Sequence, residues 1–187
     1  MFSRKASSLL RDERGSVFIE LALTLPIMMT LIFGGVELTR FMLNAQKVSR
    51  VAMSTADIIS QAREITEADI MNVFLASNAI MGDESLVQNG NVILSSVIRP
   101  GTEDPIVNWQ RRASLTHDGD SKVGSEGNAA QLPPNIELEP GDGVIVAEVY
   151  FNHMPFLFDT IVGEQDVYEV AYYRPRFGAL EQILPNS

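Results

Sequence analysis

Few side chains in this sequence have the type and spacing to share a chemical site. The only histidines, His117 and His153, lie 36 residues apart in unlike contexts, which favours surface or loop residues over joint metal ligands. Asp118-Gly119-Asp120 resembles the start of a calcium loop, but Lys122 and Val123 occupy positions that require a ligand and a glycine. The chain has no cysteine, which excludes thiolate nucleophiles and zinc–thiolate sites. We therefore expect no catalytic residue, no metal site and no cofactor.

One ionisable side chain stands in an unusual environment. Glu20 is the only such residue between Val17 and Val36, a stretch of 20 residues of which 14 are Val, Ile, Leu, Met, Phe or Ala. As a helix rising ~1.5 Å per residue, this stretch spans about 30 Å, the thickness of a hydrocarbon core. A carboxylate at the bilayer centre costs about 2.5–3.5 kcal/mol and less near an interface. By itself, the position allows either a functional carboxylate or one that reaches the nearby headgroups.

The apolar stretch is typical of a membrane anchor rather than of a cleaved export signal. Basic residues precede it and an acidic region follows, so the positive-inside rule places the N-terminus in the cytoplasm. An export signal has a shorter apolar region that ends at small residues, whereas this one continues into Phe33-Gly34-Gly35-Val36-Glu37-Leu38. Pro26 lies inside it and predicts a kink. The predicted organisation is a basic cytoplasmic leader at 1–15, a transmembrane helix at 16–36 and an extracytoplasmic domain at 37–187.

The charge of the chain is unevenly distributed. Its net charge is −10, but residues 1–15 carry four basic and two acidic side chains, so the remainder carries −12. An acidic body argues against nucleic acid as a partner, because phosphates are bound by clusters of Lys and Arg. The part after residue 36 has the length of one ordinary domain.

The residues around the lone carboxylate form the motif Arg14-Gly15-Ser16-Val17-Phe18-Ile19-Glu20. It resembles the type III signal of type IV prepilins, in which a cytoplasm-facing aspartic peptidase cuts after the glycine and leaves the apolar helix on the mature subunit. The resemblance implies cleavage between Gly15 and Ser16. Glycine suits this position because it has no Cβ to obstruct a protease. The cut creates an α-amino group one helical turn from Glu20, and the resemblance implies that Glu20 pairs with this amine on a neighbouring subunit to set axial register.

The longer run Gly15-Ser16-Val17-Phe18-Ile19-Glu20-Leu21-Ala22-Leu23-Thr24-Leu25-Pro26 resembles the TadE-like family, the minor pseudopilins of the Tad pilus system. Gly34-Gly35-Val36-Glu37 and Arg174-Pro175-Arg176 are also similar to that family. The resemblance is strong over residues 14–62 and diffuse afterwards. Leu21, where major Flp-type pilins have Tyr, and Ser16, where other type IV pilins have Phe or Met, argue against a major pilin.

The resemblance implies a non-catalytic pilus assembly protein with an α+β, pilin-like fold. It is held in the bacterial inner membrane with its C-terminal domain in the periplasm. Its expected partners are a prepilin peptidase, other pilin and pseudopilin subunits, and the pilus assembly platform. The alternative is an unprocessed, membrane-tethered periplasmic module that binds a ligand or another protein.

Helical periodicity continues beyond the membrane segment to about Gln61. Its predicted inward positions recur at three- and four-residue steps: Leu38, Phe41, Met42, Ala45, Val48, Ala52, Thr55 and Ile59. Thr66 and Asp69 resemble a loose capping box and predict a second helix that ends at Gly82. Its predicted inward residues are Ile70, Val73, Phe74, Ser77 and Met81. A bend in one long helix is the alternative.

The remainder predicts an antiparallel sheet with one face on a helix, built from strands at 92–98, 106–112, 144–151 and 167–173. Two alternating apolar faces stand out: Ile145, Ala147, Val149 and Phe151, and Tyr168, Val170 and Tyr172. The polar, glycine-rich segment from His117 to Leu132 predicts a surface loop. Phe156, Leu157 and Phe158 lie in an apolar connection that either folds onto the core or forms an exposed lip for another subunit or the bilayer surface.

Overall fold

A computed structural model of the chain describes residues 14–82, 86–113, 119–155 and 164–185. Helix α1 runs from Arg14 to Ser60, close to the predicted end near Gln61. It is long and apolar enough to cross a membrane, with a window of mean hydropathy 2.1, which fits a single-pass membrane protein. The chain divides into two compact units, of which the first ends at Phe41 and the second spans Met42–Ser187.

The part of α1 in the second unit buries one face. Its buried side chains are Asn44, Val48, Val51, Ala52, Thr55, Ala56, Ile59 and Ser60. Four of the predicted inward positions are therefore confirmed, from Val48 onward. The prediction is wrong at Leu38 and Met42, which are 55% and 54% exposed. Apolar spacing shows that a helix has an apolar face but does not say whether that face meets the domain core.

Helix α2 spans Glu67–Met81 and follows a two-residue strand β1, Ile65–Thr66. The predicted capping box is confirmed, because the Thr66 hydroxyl accepts from the Asp69 amide and the Asp69 carboxylate accepts from the Thr66 amide at 2.9 Å. The predicted inward residues are the five buried ones. Gly82 ends the helix at φ 69°, a backbone conformation that favours glycine. A buried Thr55–Ser77 hydrogen bond of 2.8 Å joins α2 to α1.

A short helix α3, Leu86–Asn89, leads into a four-stranded antiparallel sheet. The strands are β2 Gly90–Ile98, β3 Ile106–Arg112, β4 Gly143–His153 and β5 Gln165–Tyr173, in the order β3-β2-β4-β5. Each predicted strand is present; β2 and β5 each begin two residues earlier than predicted, and β4 begins one residue earlier and ends two residues later. The predicted α+β class is confirmed: a long apolar N-terminal helix, a second helix and an antiparallel sheet.

The sheet is covered on both faces, not one. Ile145, Ala147, Val149 and Phe151 of β4 are fully buried as predicted, but so are Val146 and Glu148 on the other face. The other face packs against the segment at 119–139, whose Val123 and Leu138 belong to a buried cluster with Val97, Val107, Val144 and Val146. The predicted loop is confirmed as a segment without helix or strand from residue 119, and 125–129 are exposed, but the prediction is wrong at Gly119 and Val123, which are buried. Single apolar residues spaced through a polar segment have no period, so the pattern did not reveal that they pack onto the sheet.

The C-terminal segment returns to the start of the domain. Strand β6, Ile183–Leu184, pairs in parallel with β1. The Leu180 carbonyl accepts from the Trp109 indole at 2.8 Å and from the Ser96 hydroxyl at 2.9 Å, both buried. The Arg176 amide donates to the Ser60 carbonyl at the end of α1 at 2.9 Å. These hydrogen bonds fix the last described residues onto the sheet and the helix.

Candidate functional site

The first part of α1 presents its apolar side chains to its surroundings. Residues 15–33 are exposed throughout. Large side chains share this exposure on all sides of the helix, for example Phe18 at 75%, Leu23 at 66% and Leu31 at 70%. A helix that is apolar all round is stable only when a membrane or other chains cover it. The described part of the chain supplies no such cover here.

The two threonine hydroxyls of this segment are satisfied within the helix. The Thr24 hydroxyl donates to the Glu20 carbonyl at 2.8 Å, and the Thr30 hydroxyl donates to the Pro26 carbonyl at 2.9 Å. Such bonds to the carbonyl four residues earlier allow threonine to face lipid without an unpaired hydroxyl. The Glu20 carboxylate has no hydrogen-bond or ion-pair partner within the described residues. α1 is also continuous through Pro26, while the predicted kink remains a prediction.

Gly15, Ser16 and Glu20 all lie near the start of the described part of α1, which covers the Gly15–Ser16 bond. A Cβ placed on Gly15 would meet no described atom within 4 Å. Ser16, Glu20 and Thr24 follow one another at four-residue spacing and therefore share a helix face. This face forms a polar line along a mostly apolar segment, and its charged member lies one turn from the predicted new N-terminus.

A second notable carboxylate, which the sequence pattern did not single out, lies in the sheet. Glu148 in β4 is 0% exposed. It accepts a short hydrogen bond from the Ser121 hydroxyl, a 2.8 Å bond from the Lys122 amide and a 2.9 Å bond from the Tyr168 hydroxyl. The one available signal was a Glu within the alternating apolar run of a central strand. Glu148 fastens the segment at 119–123 to the sheet.

Aromatic residues and a lysine enclose this carboxylate. The Tyr150 and Tyr168 ring centroids are 4.7 Å apart, and the Lys122 ammonium lies 3.5 Å from the Tyr168 centroid. Burial, and then the charge of Glu148, raises the pKa of Tyr150 to about 12. The same two causes raise the pKa of Tyr168 and of Tyr172 above the usual range of a phenol. These tyrosines therefore stay neutral, and the cluster stabilises the contact between the segment at 119–123 and the sheet.

The structure does not place His153 at the surface. It is 2% exposed at the end of β4, and its Nδ1 lies 3.0 Å from the Asn44 amide nitrogen of α1. The expectation of a surface or loop histidine is thus wrong at this position. Among the described residues, no three His, Asp or Glu side chains are grouped as a metal site would need. Gly141-Asp142-Gly143 forms a turn, with Gly141 at φ 89° and β4 starting at Gly143.

Three predicted residues, Phe156, Leu157 and Phe158, lie outside the described residues, as does His117. The described residue just before the predicted lip, Pro155, is buried, and its neighbour Met154 is 51% exposed. The contact lip therefore stays a prediction.

The comparisons with known proteins bear on the N-terminal segment. No curated protein and no solved structure matches the chain. A protein-family match covers residues 15–57, beginning at the glycine of the predicted cleavage site and including Glu20 and Pro26. The segment of α1 that carries the polar line at Ser16, Glu20 and Thr24 thus matches the TadE-like protein family, which confirms the predicted resemblance over these residues and indicates a protein associated with a Tad-type pilus.

Proposed function

We propose that this chain is a minor pseudopilin, a non-catalytic assembly protein of a Tad-type pilus that a prepilin peptidase cuts between Gly15 and Ser16. The mature protein stays in the inner membrane through α1, with its N-terminus on the cytoplasmic side and its domain in the periplasm. The observation that carries the proposal is an uncovered apolar helix whose only ionisable side chain between residues 17 and 36 is Glu20. The family match over the same segment supports it.

The position of the Gly15–Ser16 bond is compatible with cleavage. Glycine is less favourable in a helix than alanine by roughly 0.5–1 kcal/mol. A peptidase that needs an extended backbone can therefore unwind the helix at this bond more readily than at an alanine, and no described atom lies within 4 Å of a Cβ placed on Gly15.

Cleavage supplies the kind of partner that Glu20 lacks. The α-amino group of Ser16 would have a reference pKa of about 7.7–8.0 and be largely cationic at neutral pH. A carboxylate and an ammonium at ~4 Å attract by about 4 kcal/mol at an effective dielectric near 20, before the cost of desolvation. Pairing between neighbouring subunits would thus offset the cost of Glu20 in lipid only at one axial register. On this proposal, the partners of the helix are the other pilin and pseudopilin subunits.

The intact mass of the protein extracted from membranes tests the cleavage. In cells with the matching peptidase, we expect the chain to begin at Ser16 and to retain α1. Replacing Gly15 by leucine should block the cut. Replacing Gly34 by leucine is the matched control, because Gly34 lies in the same helix with equally open surroundings and far from the bond. A chain that still begins at Met1 in those cells would contradict the proposal.

The role of Glu20 is tested separately from the cut. Glu20→Ala should be cleaved normally but should lose pilus assembly, because the new amine has no partner. Thr24→Val is the control, since it changes a polar residue one turn away whose hydroxyl is bonded within its own helix. Full assembly by Glu20→Ala would remove the proposed pairing while leaving the processing intact.

A further inference from the structure

The two edges of the four-stranded sheet differ. The outer edge of β3 is covered by its own chain: the Val107 amide donates to Asn128 at 2.9 Å, and the Gly127 amide donates back to Val107 at 2.7 Å. The Gln110 amide donates to the Glu126 carboxylate at 3.1 Å. Such coverage is the usual protection of an edge strand against pairing with other chains. The opposite edge is formed by β5.

The register of the sheet fixes which backbone groups of β5 point outward. The Ala113 amide donates to the Val92 carbonyl at 2.9 Å, so the backbone groups of Val92 face β3. Along a central strand, successive residues bond to opposite neighbours. The backbone groups of Ile93 therefore face β4, where Ile93 is paired with Glu148. The backbone groups of Glu148 face β2 in return, so those of the next residue, Val149, face β5.

Val149 is paired with Glu169, which therefore points its backbone groups inward. The alternate residues of β5 point theirs outward: Asp166, Tyr168, Val170 and Tyr172. Within the described residues, no hydrogen bond reaches the backbone amides or carbonyls of these four. β5 has no proline, and its pairing with β4 runs from Gln165 to Tyr173 without a bulge. The edge thus has the length and regularity that strand addition needs.

The charges along this edge indicate what can pair with it. Asp166 is exposed and Glu169 is partly exposed, and neither forms an ion pair within the described residues. If a second copy of β5 paired with this edge, its carboxylates would approach those of the first copy, and like charges across a strand pair are unfavourable. The whole chain carries a net charge of −10. A strand with basic side chains would instead be attracted to this edge.

We propose that the outer edge of β5 is a docking site for an extended, basic segment of another protein, which adds a fifth strand to the sheet. Four outward amides and four outward carbonyls provide the main-chain bonds, and the half-buried Tyr168 and Tyr172 provide aromatic side-chain contacts to the added strand. Lys122 lies over the Tyr168 ring on one face of the sheet, so the selection for Lys and Arg rests on Asp166 and Glu169. This inference is independent of the processing at Gly15 and of the role of Glu20.

The probe is a short fluorescent peptide of alternating Lys and Val, added to the full-length chain in lipid nanodiscs. We expect it to bind at least about tenfold more tightly than the same peptide with Glu in place of Lys. Methylation of alternate backbone nitrogens of the peptide should abolish binding, because those nitrogens can no longer donate to β5. Val170→Pro should have the same effect, since it removes an outward amide without removing a bond to β4. Val170→Thr, which keeps the amide and the shape, is the matched control.

Several results would overturn the proposal. Equal binding of the acidic peptide would remove the charge selection, and full binding of the methylated peptide would exclude strand addition even if Val170→Pro failed to fold. Amide exchange gives a direct reading, because the amides of Asp166, Tyr168, Val170 and Tyr172 should become protected when the basic peptide binds. Self-association of the chain that Val170→Pro abolishes would assign the edge to a second copy instead.

Discussion

Replacing Glu148 by alanine should strongly destabilise the domain. The substitution removes a fully buried carboxylate that accepts hydrogen bonds from Ser121, Lys122 and Tyr168. Two of these donors belong to the segment that covers the second face of the sheet. Once the carboxylate is lost, the donors remain in place without an acceptor, and the segment has lost its polar attachment.

The expected magnitude follows from those three bonds. Hydrogen bonds to charged groups contribute roughly 1.5–3 kcal/mol each, and burial of the carboxylate opposes part of that gain. Breaking a buried charged network by removing one member typically costs about 3–5 kcal/mol. We expect a loss in this range for Glu148→Ala. Glu148→Gln should lose less, about 1–3 kcal/mol, because its amide oxygen can still accept.

Denaturant unfolding of the full-length chain in detergent micelles, followed by near-ultraviolet circular dichroism, measures these losses. The control is Glu126→Ala on the same segment, whose side chain is 54% exposed, forms a 3.4 Å surface ion pair with Arg111 and accepts from the Gln110 amide at 3.1 Å. Because these contacts are exposed, that variant should lose only about 1–2 kcal/mol. If Glu148→Ala and Glu126→Ala unfolded at the same denaturant concentration, the assignment of Glu148 as an anchor would be refuted.

Two further predictions concern the sheet. Val149→Asp should cost several kcal/mol, because it places a carboxylate without donors at a fully buried position of β4, and an unchanged thermal melt would show that the packing is misassigned. Stability should also fall as the pH rises from 10 towards 12. The pKa of Tyr150 is about 12 in the folded state and about 10 in the unfolded state. The stability that the neutral phenol contributes is therefore fully present below pH 10 and is lost as the pH rises to 12. Tyr150→Phe should reduce the alkaline loss seen in denaturant titrations, and stability that stays flat from pH 10 to 12 would contradict the pKa argument.

Elements with strong local signals were predictable from sequence. The capping box at Thr66 and Asp69 and the stop at Gly82 specify α2 within a few neighbouring residues. Alternation in β4 was equally clear, because Ile145, Ala147, Val149 and Phe151 are all large or apolar on one face. In each case the residues that determine the structure are close neighbours along the chain, so the pattern is visible in the sequence.

The features that sequence reasoning missed depend on distant contacts. His153 is buried because it meets Asn44, which lies more than a hundred residues earlier, and nothing local to either residue indicates this pairing. The segment from His117 to Leu132 was predicted as a surface loop because its apolar residues are isolated, yet Glu148 and the cluster around Val123 hold its described part on the sheet. Leu38 is exposed although its spacing fits an inward face. Burial of such residues is set by tertiary packing, which overrides local pattern.

The contrast between two carboxylates links the fold to the proposed function. Glu148 is buried by protein, and three donors from its own chain satisfy it. Glu20 lies in an apolar helix, and the described residues offer its side chain no donor. An unpaired carboxylate in lipid is costly, and under the proposed function the new amine of a neighbouring subunit compensates that cost. On that proposal, folding of the chain satisfies Glu148, whereas only assembly satisfies Glu20.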